Sequence, residues 1–211
     1  MGYYPIFAEM TGRRCVVVGG GAVAERKVEG LLEVGAHVTV VSPSLSSKLA
    51  SLVSQGKVRH IARPYQAGDL KGCALAFVAT DDAGVNEAVA REGQERGVWV
   101  NAADDPAYCD FILPSVLRRG ELVVAVATGG LSPALSRVIR EELEGYFTED
   151  YATLAAIVGK VRRELKRYSF VPEPEAWHNA LDGNLRRLIR EGKHEEARTY
   201  LLERLGGELC R

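Results

Sequence analysis

The chain has 211 residues, a formal net charge of −1, 46% hydrophobic residues and 26% charged residues. These values fit a soluble globular protein and exclude a disordered chain, a fibrous repeat and a strongly basic nucleic-acid binder. Glycine is abundant, at 22 residues, and its placement carries the first functional signal.

No apolar run approaches the roughly 20 residues that a membrane-crossing helix needs. The N-terminal residues Met1-Gly2-Tyr3-Tyr4-Pro5 lack the basic patch and apolar stretch of a secretory signal. Cys15, Cys73, Cys109 and Cys210 form no C-x-x-C pair and no zinc-like spacing, so reduced thiols and no metal site are expected. A cytoplasmic protein without membrane or nucleic-acid partners follows as the expectation.

The first element is the apolar run Arg14 to Val18, of the kind that forms a central parallel strand buried on both faces. Gly19-Gly20-Gly21 ends it, and Ala22 to Val34 reads as a helix stopped by Gly35. His37 to Val41 is the second strand, after which Ser44 is expected to cap a helix over 45–54. Val58 to Ile61 is a third strand and Ala74 to Ala79 a fourth. Thr80-Asp81-Asp82 leads into a helix over 84–95, and Val98 to Val100 is a fifth strand ending at Asn101. This alternation predicts an α/β fold with a parallel sheet of Rossmann type.

The rhythm then changes. Phe111 to Pro114 and Leu122 to Ala127 read as a hairpin turning at 118–121, and Ser132 as the N-cap of a helix that begins with Pro133. From Thr148, expected to cap a long helix, the pattern is helical, with further stretches over 175–190 and 194–205. The expected organisation is a nucleotide-binding domain over 1–113, a segment over 114–147 and a small all-helical domain over 148–211. The last part is mildly basic, most densely at 160–167, and reads as a solvated helix face or a surface for an anionic partner.

Gly19-Gly20-Gly21-Ala22-Val23-Ala24 fits G-x-G-x-x-A in a strand–turn–helix context. Gly19 permits the tight turn, Gly21 close approach of a pyrophosphate, and Ala24 close packing of the helix on the strand. The helix start at Ala22 and Val23 offers free N–H groups to phosphates. The second strand ends in Ser42-Pro43 where an NAD-preferring site usually has Asp or Glu. Ser42 and Ser44 are the remaining ribose candidates, and no Arg favours a 2′-phosphate. Thr80, Asp81 and Asn101 lie at strand ends, where such sheets bind ligands. Helix capping is the equal alternative for Asp81 and Asp82.

Several runs occur together and in order: Pro5-Ile6-Phe7, 16–27, Ala79-Thr80-Asp81-Asp82, 100–106, 109–115, and 128–137 beginning Thr-Gly-Gly-Leu-Ser-Pro. The set resembles the precorrin-2 dehydrogenase family, the oxidase/ferrochelatase module of siroheme synthesis. The resemblance is close over residues 5 to about 145 and looser beyond. At this length the expectation is the stand-alone module, without the methyltransferase half of fused enzymes. The resemblance implies that NAD⁺ oxidises precorrin-2 to sirohydrochlorin, that bifunctional members then insert Fe²⁺ as a substrate, and that the protein is a homodimer built on the segment 114–147.

It also implies Asp104 as the catalytic carboxylate, accepting the proton left when hydride departs. Thr128 and Gly129 fall in the loop that members place at the substrate. Arg118, Arg119, Arg137 and Arg140 are the candidates to pair with the substrate's carboxylates, Arg137 foremost, with surface solubility the equal alternative for Arg118 and Arg119. The competing readings are a regulatory nucleotide-binding module without catalysis and a ferrochelatase alone. The missing acid after the second strand and the Asp104 loop both count against the regulatory module.

Overall fold

The computed structural model describes residues 2–103 and 105–206. Two compact units form, residues 1–112 and 113–211. In the first, five strands make one parallel sheet in the order β3-β2-β1-β4-β5: β1 (Arg14–Val18), β2 (His37–Val41), β3 (Val58–Ile61), β4 (Leu75–Val78) and β5 (Trp99–Ala102). Cys15 to Val18 are all buried, as an apolar run without alternation requires when both faces are covered.

Residues alternate between two apolar layers. Cys15, Val17, Val38, Val40 and Phe77 pack with α1 (Ala22–Glu33) and α2 (Ser47–Ser54) on one face. Val16, Val18, Val41, Ala76, Val78 and Val100 pack with α3 (Ala83–Arg96) on the other. Because β1 pairs with β2 on one side and β4 on the other, the connections run outward in opposite directions from the centre. Such a sheet binds ligands at its carboxyl edge near this reversal.

In the second unit β6 (Ser115–Arg119) and β7 (Leu122–Val126) form an antiparallel hairpin against which α4 (Pro133–Tyr146) packs. Helices α5 (Asp150–Arg167), α6 (Pro174–Ala180), α7 (Gly183–Arg190) and α8 (His194–Gly206) enclose Val161, Leu185 and Leu201, all at 0% exposure. The segment 114–147 and the helices beyond 148, set apart in the sequence reading, share this unit.

Several local expectations are corrected. The cap of α2 is Ser46, not Ser44: the Ser44 carbonyl is taken by the Ser42 hydroxyl at 2.7 Å, which keeps Ser44 in the turn. The strand expected over 111–114 begins at Ser115, because Phe111 is held back against Phe77 and Pro114 has no N–H to pair. Thr148 does not cap α5; its hydroxyl donates to the Asp150 carboxylate within the first turn. The single helix expected over 175–190 is two, broken where Asp182 caps α7 by accepting from Asn184 and Leu185 N–H. β5, expected to end at Asn101, runs one residue further, to Ala102.

Candidate functional site

The glycine turn is clamped from both sides. Gly19 has φ +121°, in the region that favours glycine, and its N–H donates to the Val41 carbonyl at 3.0 Å. A methyl group on Gly19 would overlap the Ala79 carbonyl, and one on Gly20 the Ser44 carbonyl. The Gly20 carbonyl also accepts from Ser46 N–H at 2.8 Å. The ends of β1, β2 and β4 are thereby drawn together. Gly21 differs: a methyl there would meet nothing within 4 Å.

Gly21 is also the N-cap of α1 and supplies no side-chain bond to the helix. By contrast α2, α3, α4 and α7 are each capped by a Ser or Asp side chain. The first-turn N–H groups of α1, beginning at Ala22, Val23 and Ala24, therefore receive no bond from the N-cap side chain and have the positive end of the helix dipole behind them. A diphosphate fits such a cradle.

The ribose candidates are placed less simply. Ser42 is buried and its hydroxyl proton is committed to Ser44; its own carbonyl lies 2.9 Å from His60 Nε2. Ser42 thus shapes the turn under Gly20, while Pro43 and Ser44 are exposed at the same edge. At the end of β4, Thr80 Oγ1 accepts from Asp82 N–H at 3.3 Å. Asp82, not Asp81, caps α3, accepting from Gly84 and Val85 N–H at 2.9 and 3.1 Å. Asp81 is exposed and so remains available to a ligand.

Asn101 is buried, and its amide donates to the Phe111 carbonyl at 2.9 Å and towards Cys109 Sγ at 3.5 Å. Asp110 donates its N–H to the Val100 carbonyl and accepts Val100 N–H on its carboxylate, both at 2.8 Å. The Cys109 thiol donates to the carbonyls of Ala102 and Asp105, at 3.2 and 3.3 Å. Burial pushes that thiol up, and the charges of Asp105 and Asp110 push the same way. Asp104 lies outside the described residues. The segment that follows it is anchored to β5 by three side chains, of which the sequence reading singled out only Asn101. Cys109 and Asp110 escape it because their partners are backbone groups of β5, a register that no spacing announces.

In the second unit Thr128 Oγ1 accepts Ser132 N–H at 2.9 Å and donates to the Ser132 carbonyl at 3.0 Å, tying the loop to the start of α4. Gly129 and Gly130 follow at φ +63° and +85°, with open space where side chains would stand. The four arginines separate into two kinds. Arg119 holds the Phe147 carbonyl at 2.8 Å and Glu149 at 3.1 Å, and Arg140 pairs with Glu141 and Glu144. These two already hold partners within the second unit. Arg118 and Arg137 are exposed and form no ion pair among the described residues. Among the described residues no His, Cys, Asp and Glu side chains gather as a metal-ligand set.

A five-stranded parallel sheet reversing at its centre, with a glycine turn feeding an uncapped helix, is the architecture of a dinucleotide-binding protein. The sequence profile of a family described as "Putative NAD(P)-binding" matches residues 6–115. The chain belongs to this NAD(P)-binding family. It is 40% identical to the siroheme synthase of Methylobacillus flagellatus over 205 residues, covering 96% of this chain and 44% of that protein. It is 39% identical to the siroheme synthase of Pseudomonas paraeruginosa over 214 residues, 100% of this chain and 46% of that protein. The chain thus spans less than half the length of these curated relatives. The solved structure of SirC, precorrin-2 dehydrogenase, superposes with a TM-score of 0.76 at 27% identity, covering 93% of this chain and 99% of that chain.

Proposed function

We propose that the chain catalyses the NAD⁺-dependent oxidation of precorrin-2 to sirohydrochlorin, a step of siroheme biosynthesis. The observation that carries this reading is the uncapped α1 behind Gly21, in a chain similar to SirC over almost its whole length. In this reading the α1 N–H groups and Gly19–Ala24 hold the diphosphate, Thr80 and Asp81 border the cofactor, and Asn101 acts by holding Phe111. Ser42 and Pro43 shape the ribose edge, and NAD is the cofactor assigned in this reading. When bound, NAD⁺ supplies the acceptor for two electrons and one hydrogen, as hydride. The macrocycle must also release one proton as its new double bond forms, and Asp104 is the carboxylate assigned to take it.

Thr128, Gly129 and Arg137 are assigned to the substrate, Arg137 as a carboxylate partner. Insertion of Fe²⁺ into the product is the second activity in this reading, since the named relatives are siroheme synthases. The protein acts as a homodimer. Leu131, just before α4, stands 91% exposed, and Leu135 and Val138 on α4 stand 50% and 48% exposed, an apolar patch that a second copy would cover. The cytoplasm, where thiols stay reduced, is the setting that goes with this reading.

The test is anaerobic incubation of purified protein with precorrin-2 and NAD⁺, following NADH and the product spectrum. Stoichiometric NADH and sirohydrochlorin are expected. Tight NADH binding without turnover would replace this reading with the regulatory module.

A further inference from the structure

The densest basic run of the sequence, 160–167, is laid out by α5 as a row without acidic partners. Lys160, Arg162, Arg163, Lys166 and Arg167 are all exposed and form no ion pair among the described residues. Elsewhere in this unit Arg187, Arg190, Arg198 and Arg204 each hold a carboxylate. Glu164, the one acid within the run, is drawn away to α8, where Arg198 donates to it at 2.5 Å. Lys160, Arg163 and Arg167 stand three and four residues apart on α5 and so share one face. Arg163 lies back along that face: its Nη1 is 3.4 Å from where a Cβ on Gly159 would stand. A glycine inside a helix costs about 1 kcal/mol against alanine, and here its missing side chain makes room for the guanidinium.

The row runs out of a cavity. Between α5 and the start of α8 lies an open groove of about 360 Å³, within the range of about 300–1,000 Å³ common to small-molecule sites. Ala152, Ala156 and Ile157 line it with apolar surface, and Lys160, His194 and Arg198 add nitrogen-bearing side chains. The bond to Glu164 engages one end of the Arg198 guanidinium. Glu195 also reaches the groove and offsets part of the positive charge. A lone anion therefore gains little there. A body carrying several carboxylates can meet Lys160 and Arg198 and continue along the row to Arg163 and Arg167.

We infer that this groove is a binding site for a rigid apolar ligand bearing several carboxylates, its body against Ala156 and Ile157 and its carboxylates on Lys160, Arg198 and the cations beyond. It shares no residue with the glycine turn or the Thr128 loop. In the proposed function a ligand of this class is the tetrapyrrole, before or after oxidation. That identification rests on the proposed reading; the preference for several carboxylates does not.

The test uses the full chain and uroporphyrin I, a stable octacarboxylate macrocycle, with hydrogen-exchange mass spectrometry to locate it. Slower exchange over 152–160 and 194–198 is expected, and the concentration giving half of this protection measures the affinity. Lys160→Gln combined with Arg163→Gln is expected to raise that concentration about tenfold. Both side chains are exposed, so the melting temperature should stay at wild type. Ala156→Phe keeps every charge but fills the groove, and is expected to abolish the protection. Citrate and an octaglutamate peptide, which lack the rigid apolar body, are expected to protect far less than uroporphyrin. Either one protecting as well would show a surface that reads charge alone, and overturns the inference. Protection that survives Ala156→Phe, or none in the wild type, overturns it too. If the wild-type chain oxidises no precorrin-2, the proposed function fails, and the exchange result alone decides the groove.

Discussion

Asp110 and Val100 exchange a reciprocal pair of hydrogen bonds, backbone N–H to carbonyl one way and backbone N–H to carboxylate the other, both at 2.8 Å. Edge strand β5 is thus continued by a side chain rather than by another strand. Asp110→Ala leaves Val100 N–H without its acceptor at a buried residue, a cost of about 1–3 kcal/mol. Urea unfolding of the variant measures it. Asp110→Asn keeps an acceptor oxygen and is expected to lose much less. Both variants are expected to reduce turnover more than NADH affinity, because they free the loop and leave the glycine turn intact.

The three glycines of the turn are separable by alanine substitution. Gly20→Ala drives a methyl into the Ser44 carbonyl and is expected to lower stability by about 1–3 kcal/mol. Gly21→Ala has room for its methyl, so the melting temperature should barely move. That methyl occupies the space a diphosphate needs, and NADH affinity is expected to fall about tenfold or more, roughly 1.4 kcal/mol. Thermal melts paired with fluorescence titration of NADH distinguish the two effects. Gly21→Ala with wild-type affinity would remove the turn from the cofactor site.

Glu92 on α3 is a buried carboxylate, 5% exposed, that accepts from the Tyr65 hydroxyl, Gly68 N–H and Arg96. Burial pushes it up, but these bonds outweigh burial and hold it below its ordinary value of 4.5. A lowered carboxylate contributes stability that is fully present above about pH 4.5 and is lost as pH falls through the folded value. Glu92→Gln is therefore expected to be destabilised by about 1.5–3 kcal/mol at neutral pH, the worth of hydrogen bonds to a charged group. The gap from wild type narrows below pH 4.5. Urea midpoints at neutral and acid pH check the sign; a gap that widens in acid refutes it.

Arg137 and Arg140 lie three residues apart on α4 with opposite fates. Arg140 is occupied by Glu141 and Glu144, whereas Arg137 has no ion pair among the described residues. Arg137→Ala is expected to raise KM for precorrin-2 about tenfold, the worth of one charge-assisted bond, with stability unchanged. Arg140→Ala should leave KM close to wild type. Equal effects in steady-state kinetics would mean that neither arginine meets the substrate.

The sheet and the glycine turn are legible because their signals are local. Val16-Val17-Val18 has no polar alternation, and Gly19 to Ala24 carries its meaning in three small residues at fixed offsets. Gly35 stops α1 where its position predicts, at φ +72°. The misses share a physical cause, which is competition from a tertiary partner. Ser44 has the chemistry of a cap, yet Ser42 claims its carbonyl. Phe111 has strand propensity, yet Phe77 and Asn101 hold it against the sheet. Arg140 has the same chemistry as Arg137, yet Glu141 beside it and Glu144 one turn on consume it. Asn101 reads as a ligand-facing strand end, and its amide is spent inward on Phe111.

Helix α1 begins without a side chain to finish its first turn, where α2 and α3 on the same sheet each have one. The folded chain therefore retains a standing appetite for an anion. Anything that satisfies it binds the native state and not the unfolded one, so the unfolding midpoint rises with supply. A dinucleotide at a hundred times its dissociation constant would add about 2.7 kcal/mol. That gain rivals the loss from a typical damaging core substitution. Variants too fragile to persist empty can survive when saturated, and the abundance of this protein becomes a gauge of the nucleotide pool around it.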